Sequence, residues 1–468
     1  MKNVNEKLQK KLSPAHVWAL AFGCIVGSGA FLLPGDSFLP QAGILGTAIA
    51  FVIAALLMIV VSINYHYMIN KYPVAGGEFS YATNTFGRTN GFICAWFLGL
   101  SYLTIVPLNA TGLAVVGRNI FDDIFQVGFH YQIAGFDVYF GELLLALFAV
   151  VLFAILGMFG VKTTGVFQLI LVVSLVGGVL IVALGTLLRG NVSVETLSPA
   201  YYPSGNVIGG LLAVIAVAPF CFVGFDTIPQ AAEEFNFDVK KSKVIMFFAI
   251  VFGASIYVIL NTIAAVNFPV GYGSWVEYID DLKNIEGIGS LPTFHAAYNV
   301  FGKFGLFFIG IAVLGAILSG IMGFYMATSR LLYSMSRDGM LPAWFGKLNK
   351  KYKTPINALL FVMLISLIAP FWGRTVLGWI VDMSSVGAAV GYGYTSLAAL
   401  LYAKKEKNTK IILSGIAGTI IALLILVLLL VPIKGLSCSL GKESYICLGA
   451  WSILGFIFYC VTKRKNKS

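Results

Sequence analysis

The chain has 468 residues, of which 59% are hydrophobic and only 11% are charged, and its formal net charge is +11. A composition this poor in charge excludes an ordinary soluble domain and predicts a protein embedded in a lipid bilayer. The net positive charge would suit a nucleic acid partner, but its placement along the chain indicates another origin.

Apolar runs of roughly 17 to 25 residues recur along the chain, and each is long enough to cross about 30 Å of hydrocarbon as a helix. We therefore predict an all-α integral membrane protein with twelve transmembrane helices. In chain order these spans cover residues 14–33, 43–69, 89–117, 140–160, 163–188, 207–232, 243–268, 304–334, 355–371, 376–403, 410–432 and 446–462.

Most of the 31 Lys and Arg residues fall in the segments that are cytoplasmic if the N-terminus is inside. Cytoplasmic segments of membrane proteins carry such an excess. The pattern predicts a multi-pass protein of the plasma (inner) membrane with both termini in the cytoplasm. The expected surroundings are the lipid bilayer, with no nucleic acid, and the expected state is a monomer or homodimer.

The first span contains the sequence CIVGSGAFLLP at 24–34, whose glycines and serine weaken a helix. Gly27 and Gly29 tolerate dihedrals that a helix forbids, and the Ser28 hydroxyl competes for backbone partners. Unpaired backbone in hydrocarbon costs several kcal/mol, so a break at this depth indicates a cavity or a ligand. The alternative is that these small residues only permit close helix packing.

The sixth span contains a matching interruption, APFCFVGFDTIPQAAEE at 218–234, with Pro219, Gly224 and Pro229 in its middle. Each proline removes one helical hydrogen bond. The residues CIVG at 24–27 align with CFVG at 221–224. A pair of interrupted helices at corresponding places in two halves is typical of secondary transporters built from inverted repeats.

This pattern predicts four parts of the chain. They are a cytoplasmic N-terminal segment at 1–13, a first five-helix repeat at 14–188, a second, inverted five-helix repeat at 205–403, and helices 11 and 12 with a cytoplasmic tail at 404–468.

The two breaks predict the chemistry of the ligand. Free amides near Ser28 and Gly29 form the positive end of a helix dipole and suit a carboxylate. Free carbonyls around Ile25, Phe220 and Val223 suit an ammonium group. An α-amino acid carries both groups, so it is the expected small-molecule substrate.

Three charged residues accompany the sixth span. Asp226 follows its break, where a charge costs about 2.5 to 3.5 kcal/mol, so a gating or coupling role is one interpretation and a helix N-cap is the other. Glu233 and Glu234 lie nearer the cytoplasmic end, where we expect them to be solvated or to close a gate with Arg330 or a nearby lysine.

Neither an enzyme nor a metal protein is predicted. The four histidines are scattered over membrane edges and loops, without metal-ligand spacing or a catalytic constellation. Cys438 and Cys447 flank the last outer loop, on the oxidising side of the membrane, so they are either bridged by a disulfide or free.

Four motifs in order resemble those of the amino acid/polyamine/organocation transporter family. They are GSGAFLLPG at 27–35, PVAGGEFSYA at 73–82, FVGFD with AEE at 222–226 and 232–234, and ATSRLLYSMSRDGMLP at 327–342. The resemblance covers essentially the whole chain. It implies transport by alternating access in the five-plus-five inverted repeat of the LeuT type, with discontinuous helices 1 and 6.

The same resemblance implies site residues. The carboxylate would bind at Ser28 and Gly29, beside the breaks at Gly27 and Gly224. Carbonyls of Ile25, Phe220 and Val223 would meet the amino group. Phe220 and Phe324 occupy positions of gating aromatics, although core packing is the alternative for both.

The chain also departs from the family. Relatives carry a lysine deep in span five, whereas residues 172–178 read VVSLVGG, with Ser174 the nearest polar group. This weakens the case for proton coupling by a lysine and leaves sodium coupling, with Ser319 as a candidate, or exchange. Since the pocket helices offer no further acid beyond Asp226, we expect a neutral amino acid, apolar or aromatic. The alternative substrate is a polyamine, ethanolamine or another organic amine.

Overall fold

The computed structural model describes residues 8–120, 122–133, 136–189, 192–203, 206–373, 375–433 and 439–465. Helices account for nearly all of this part. The first nine are α1 Pro14–Val26, α2 Gly29–Leu33, α3 Leu39–Lys71, α4 Gly77–Phe86, α5 Arg88–Ile120, α6 Phe140–Met158, α7 Val161–Leu188, α8 Val207–Phe222 and α9 Thr227–Gln230.

The remaining helices are α10 Ser242–Val266, α11 Trp275–Asp280, α12 Pro292–Phe301, α13 Lys303–Arg337, α14 Ile356–Ser366, α15 Thr375–Glu406, α16 Thr409–Leu430 and α17 Lys442–Lys465. Between α5 and α6 lies an antiparallel ribbon of two strands, β1 His130–Ile133 and β2 Phe136–Tyr139. Short π and 3-10 turns join several helices.

Ten helical stretches of the described chain are long and apolar enough to cross a membrane. One of them, Pro14–Lys71, has 58 residues and contains α1, α2, a π-helical turn at Pro34–Phe38 and α3. A shorter apolar stretch covers Ile356–Trp372. The prediction of a mainly helical, multi-pass membrane protein is confirmed at this level.

The outward faces of these helices carry large apolar side chains. Phe148, Val173, Leu423 and Phe456 are each more than half exposed. Such a surface would be a large apolar patch in water, whereas in a bilayer the lipid tails cover it.

The interior is built around α1. This helix packs against α7, α10 and α13, while α5 packs against α13 and α15. Ser13 caps α1 by accepting a hydrogen bond from the His16 amide, and Pro14 occupies the first helical position, where its missing N–H is not needed. This arrangement places the end of α1 at the centre of the helix bundle.

Candidate functional site

The break in the first span lies at Gly27 and Ser28. Gly27 has φ 46° and ψ −164°, a backbone conformation that favours glycine, and it ends α1. The amides of Phe31 and Leu32 both donate to the Ser28 carbonyl, at 3.1 and 3.2 Å. The amides of Gly29 and Ala30 therefore precede the first internal hydrogen bonds of α2.

Two side chains from other helices bond the exposed backbone of this break. Asn109 of α5 accepts a hydrogen bond from the Ser28 amide at 2.9 Å. The Tyr257 hydroxyl of α10 donates to the carbonyls of Ile25 and Val26, at 3.0 and 3.3 Å. The Ser28 amide and the Ile25 carbonyl, which the sequence predicts to be free for a ligand, thus have protein partners in this conformation.

The break in the sixth span lies at Val223 and Gly224, between α8 and α9. Gly224 has φ 151°, and a Cβ there would lie 2.6 Å from the Ile25 nitrogen and 2.7 Å from the Ala21 carbonyl oxygen. Because both of these atoms belong to the backbone of α1, the two interrupted helices meet at this glycine.

Asp226 closes the turn that follows Gly224. Its Oδ1 accepts a hydrogen bond from the Gly224 amide at 2.7 Å, and its side chain does not cap α9. The carboxylate is fully buried. The N-cap interpretation is therefore wrong, since the bond goes back to the break.

A small, partly open cavity lies beside the first break, with about 230 Å³ of space between its atoms when the adjoining open solvent is included. It is lined by Cys24, Ile25, Val26, Gly27, Ser28, Gly29, Ile105, Leu108, Asn109, Phe220 and Tyr257. None of these lining residues is charged. Their polar groups are the backbone of the break, the Asn109 amide and the hydroxyls of Ser28 and Tyr257.

The structure brings five of the eight predicted substrate-binding residues to this cavity, namely Ile25, Gly27, Ser28, Gly29 and Phe220. The other three do not line it. Val223 donates its amide to the Phe220 carbonyl at 3.2 Å, and Gly224 contacts α1. Phe324 is fully buried, with its ring 5.9 Å from the ring of Tyr102.

Sequence reasoning missed Asn109 and Tyr257. A polar or aromatic residue inside an apolar run is the only signal that marks them. Nothing in that run says which face of the helix points to the break.

The two serines proposed for ion coupling lie in different surroundings. Ser319 is buried and approaches Gly23 of α1, and its hydroxyl donates to the Ala316 carbonyl at 2.9 Å. Ser174 donates to the Ile170 carbonyl of its own helix and is partly exposed. The structure instead places Gln168 of α7 beside Ser319.

The Gln168 amide joins three helices. Its Nε2 donates to the carbonyls of Ala19 and Ser319, at 3.5 and 3.0 Å, and the side chain is almost fully buried. A neutral donor thus occupies the junction of α1, α7 and α13.

Two ion pairs and the N-terminal segment meet just after α9. Arg330 donates two hydrogen bonds to Glu234, at 2.9 and 3.1 Å, which is one of the alternatives that the sequence leaves open, and Arg337 pairs with Glu233 at 2.9 Å. The amides of Lys11 and Leu12 donate to the Glu234 carbonyl at 2.9 and 3.0 Å.

The predicted pairing of Cys438 with Cys447 falls outside the described residues, because Cys438 lies in the segment 434–438.

Comparison with known proteins shows to which family the chain belongs. Residues 12–458 match the model of a family described as amino acid permease. The chain belongs to this family. Its membership confirms the resemblance to the amino acid/polyamine/organocation superfamily and supports a transporter rather than an enzyme.

Individual relatives of this permease are distant. It is 24% identical to the branched-chain amino acid permease BcaP of Bacillus subtilis, over 98% of this chain and 94% of the relative. It is 24% identical to the methylthioribose transporter of the same organism, over 87% of this chain and 84% of that relative. The cationic amino acid transporter 3, mitochondrial, of Arabidopsis thaliana is also 24% identical, over 85% of this chain and 63% of the relative.

Proposed function

We propose that this permease is a secondary active transporter that carries a neutral amino acid across the plasma membrane by alternating access. The substrate carboxylate would bind the amides that begin α2, at Gly29 and Ala30. Its ammonium group would take the place of the Tyr257 hydroxyl on the carbonyls that end α1.

The observation that carries this proposal is the position of the cavity. It lies where α1 and α2 face each other with opposite dipole ends, and these ends suit the two charges of a zwitterion. Tyr257 holds the carbonyls that end α1 in this conformation, so the ammonium group would exchange partners with its hydroxyl, whereas Asn109 bonds the neighbouring Ser28 amide and not the amides of Gly29 and Ala30.

The lining favours a neutral side chain. Ile105, Leu108 and Phe220 form apolar walls, and none of the lining residues offers a charge to a cationic side chain. One relative is named for branched-chain amino acids, in agreement with this lining. A polyamine would leave its second ammonium group without a carboxylate in the cavity.

Purified protein in liposomes tests the proposal. Preloaded leucine is expected to drive uptake of labelled leucine, and neutral amino acids are expected to compete for this exchange. Arginine, putrescine, ethanolamine and methylthioribose are expected to compete weakly. Transport of a diamine without transport of any neutral amino acid would contradict the assignment.

A glycine pair provides a matched control for the position of the site. A Cβ on Gly29 would lie 3.2 Å from the Phe220 ring and 3.6 Å from the Tyr257 hydroxyl, so Gly29→Leu is expected to abolish binding. Gly177→Leu, in α7, meets open space and is expected to bind normally. Unaltered binding in Gly29→Leu would favour the interpretation that these glycines only serve packing.

We also propose twelve crossings, in two inverted five-helix repeats followed by two peripheral helices. Division of Pro14–Lys71 into two spans and inclusion of Ile356–Trp372 give this number. Reporter fusions at each terminus are expected to be active in the cytoplasm only.

A further inference from the structure

A second group of buried polar residues lies next to the break in the sixth span. Glu78, in the first turn of α4, is fully buried. Gly76 and Gly77 precede it with φ of 90° and 37°, and a Cβ on Gly77 would lie 2.8 Å from the Pro229 side chain. This close approach packs the start of α4 against α9.

Hydrogen bonds connect Glu78 to Asp226. Gln230 donates to Glu78 Oε2 at 2.6 Å. The Tyr102 hydroxyl lies 3.5 Å from Glu78 Oε1 and 3.1 Å from the Asp226 carbonyl oxygen. Tyr102 has a single hydrogen for two acceptors. A hydrogen on Oε1 of Glu78 would donate to the Tyr102 oxygen and complete the chain of bonds.

Several polar atoms of this group have no partner among the described residues. They include Asp226 Oδ2, Gln230 Oε1 and the hydroxyl oxygen of Tyr392, all on fully buried side chains. The Tyr65 hydroxyl faces the Glu78 carboxyl. A buried carboxyl oxygen without a partner, such as Asp226 Oδ2, can accept or carry one further hydrogen.

The titratable groups around the two carboxyls are neutral acids. Those facing Glu78 or Asp226 from the surrounding helices are Cys24, Tyr65, Tyr81, Cys94, Tyr102 and Tyr392. The arginines of the neighbouring inner end, Arg330 and Arg337, are bonded to Glu234 and Glu233. Within the described chain, neither Glu78 nor Asp226 has an ion-pair partner.

Electrostatics decides which ligand such a pair holds. An ionised carboxylate is costly to bury without an opposite charge, and a second one nearby adds repulsion. Burial, and then the charge of Asp226, raise the pKa of Glu78 well above its usual range. A proton removes one charge and needs no room.

We propose that Glu78 and Asp226 form a proton-binding site and that its proton moves with the amino acid. This inference rests on the proposed transport function. The site lies between the cavity and the inner ion pairs. On one side Cys24, which lines the cavity, contacts Gly224, whose amide bonds Asp226. On the other side the Ala75 amide donates to Glu233 at 3.3 Å.

This position gives the proton a route. It arrives from outside while the inner end is closed and is held by Glu78. Separation of α9 from α4 breaks the bond from Gln230 and exposes Glu78 to water, so the proton leaves to the cytoplasm. The Gln168 amide at the junction of α1, α7 and α13 does not titrate, so it does not carry the proton in this cycle.

Proteoliposomes with a pH-sensitive dye inside test this site. For the wild type, addition of the transported amino acid is expected to acidify the lumen. A gradient of about one pH unit, acid outside, is expected to give about tenfold accumulation if one proton accompanies each amino acid. Glu78→Gln is expected to lose both effects and to make exchange independent of pH. Glu195→Gln, at an exposed outer carboxylate, is expected to behave as wild type.

The outcomes separate this inference from the proposed function. If the wild type exchanges no amino acid, the transport function itself is wrong. If it exchanges amino acids but a sodium gradient alone drives accumulation, or if Glu78→Gln still acidifies the lumen, the proton site is overturned. Should Glu78→Gln misfold, Tyr102→Phe decides, because it keeps both carboxyls and is expected to shift the pH of half-maximal uptake. An unshifted profile overturns the site.

Discussion

The buried pair of Glu234 and Arg330 allows a quantitative test of the proposed transport cycle, in which this pair would hold the cytoplasmic end closed. Their side chains are 1% and 2% exposed, and two hydrogen bonds join them. At 2.9 Å and an effective dielectric constant near 20, their attraction is about 6 kcal/mol, which is opposed by a desolvation cost of several kcal/mol for each ion. Arg330→Met leaves Glu234 charged and unpaired, which costs the closed conformation about 3 to 5 kcal/mol.

This cost falls on the closed conformation, because water can solvate Glu234 once the inner end opens. The population of open molecules should therefore rise by about 100-fold or more, until the open form dominates. The double variant Glu234→Leu/Arg330→Met removes both charges, so its population of open molecules is expected to stay near that of the wild type.

Cys24 provides the assay, because it lines the cavity and is 5% exposed. In a variant whose other cysteines are alanine, an impermeant maleimide added from the cytoplasmic side should label Cys24 much faster after Arg330→Met. Lys347→Met, at an exposed lysine of the same inner region, should leave the rate unchanged. If the double variant labels as fast as Arg330→Met, the unpaired charge is not the cause and the reasoning is refuted.

Three further predictions concern the breaks and Glu78. Gly224→Ala should cost about 2 to 6 kcal/mol from strain and overpacking against α1, and reduce the monodisperse fraction in gel filtration, whereas Gly378→Ala, which meets open space, should not. Asn109→Leu leaves the Ser28 amide without its acceptor, which should lower the free energy of unfolding by about 1 to 3 kcal/mol and lower the unfolding temperature. Asn109→Asp keeps the acceptor and should lower the unfolding temperature less. Because the folded state raises the pKa of Glu78, it keeps a proton that the unfolded chain releases above pH 4.5. Stability should fall as the pH rises above 4.5 towards the raised pKa of folded Glu78, and Glu78→Gln should flatten this decline.

The interrupted helices were predictable because their cause is local. Glycine tolerates the positive φ at which a helix ends, so Gly27 and Gly224 mark the breaks from sequence alone, whereas Pro219 lies inside α8, which continues to Phe222. The pairing of Glu234 with Arg330 was predictable only as one alternative, since near the cytoplasmic end water or a lysine could also solvate the charge.

The side chains that bond the breaks were not predictable, because they depend on helix rotation and depth. Almost every position of a membrane helix is apolar, so periodicity does not show which face Asn109 or Tyr257 presents. The sequence also did not show how deep each side chain of span five lies in the bundle. Ser174 was the nearest polar candidate there, whereas the structure has Gln168, less than two turns earlier, bonded to Ser319. Glu78 was read only as part of a motif, since its burial follows from the docking of α4 on α9.

The bonds of residues 8–12 bear on how the protein is assembled. Leu8 bonds Glu233, 225 residues further along the chain, and Leu12 forms a parallel bridge with Phe235. These partners leave the ribosome long after the first helices have entered the membrane. Residues 8–12 must therefore wait without these partners until the chain around Glu233 and Phe235 has been synthesised and folded.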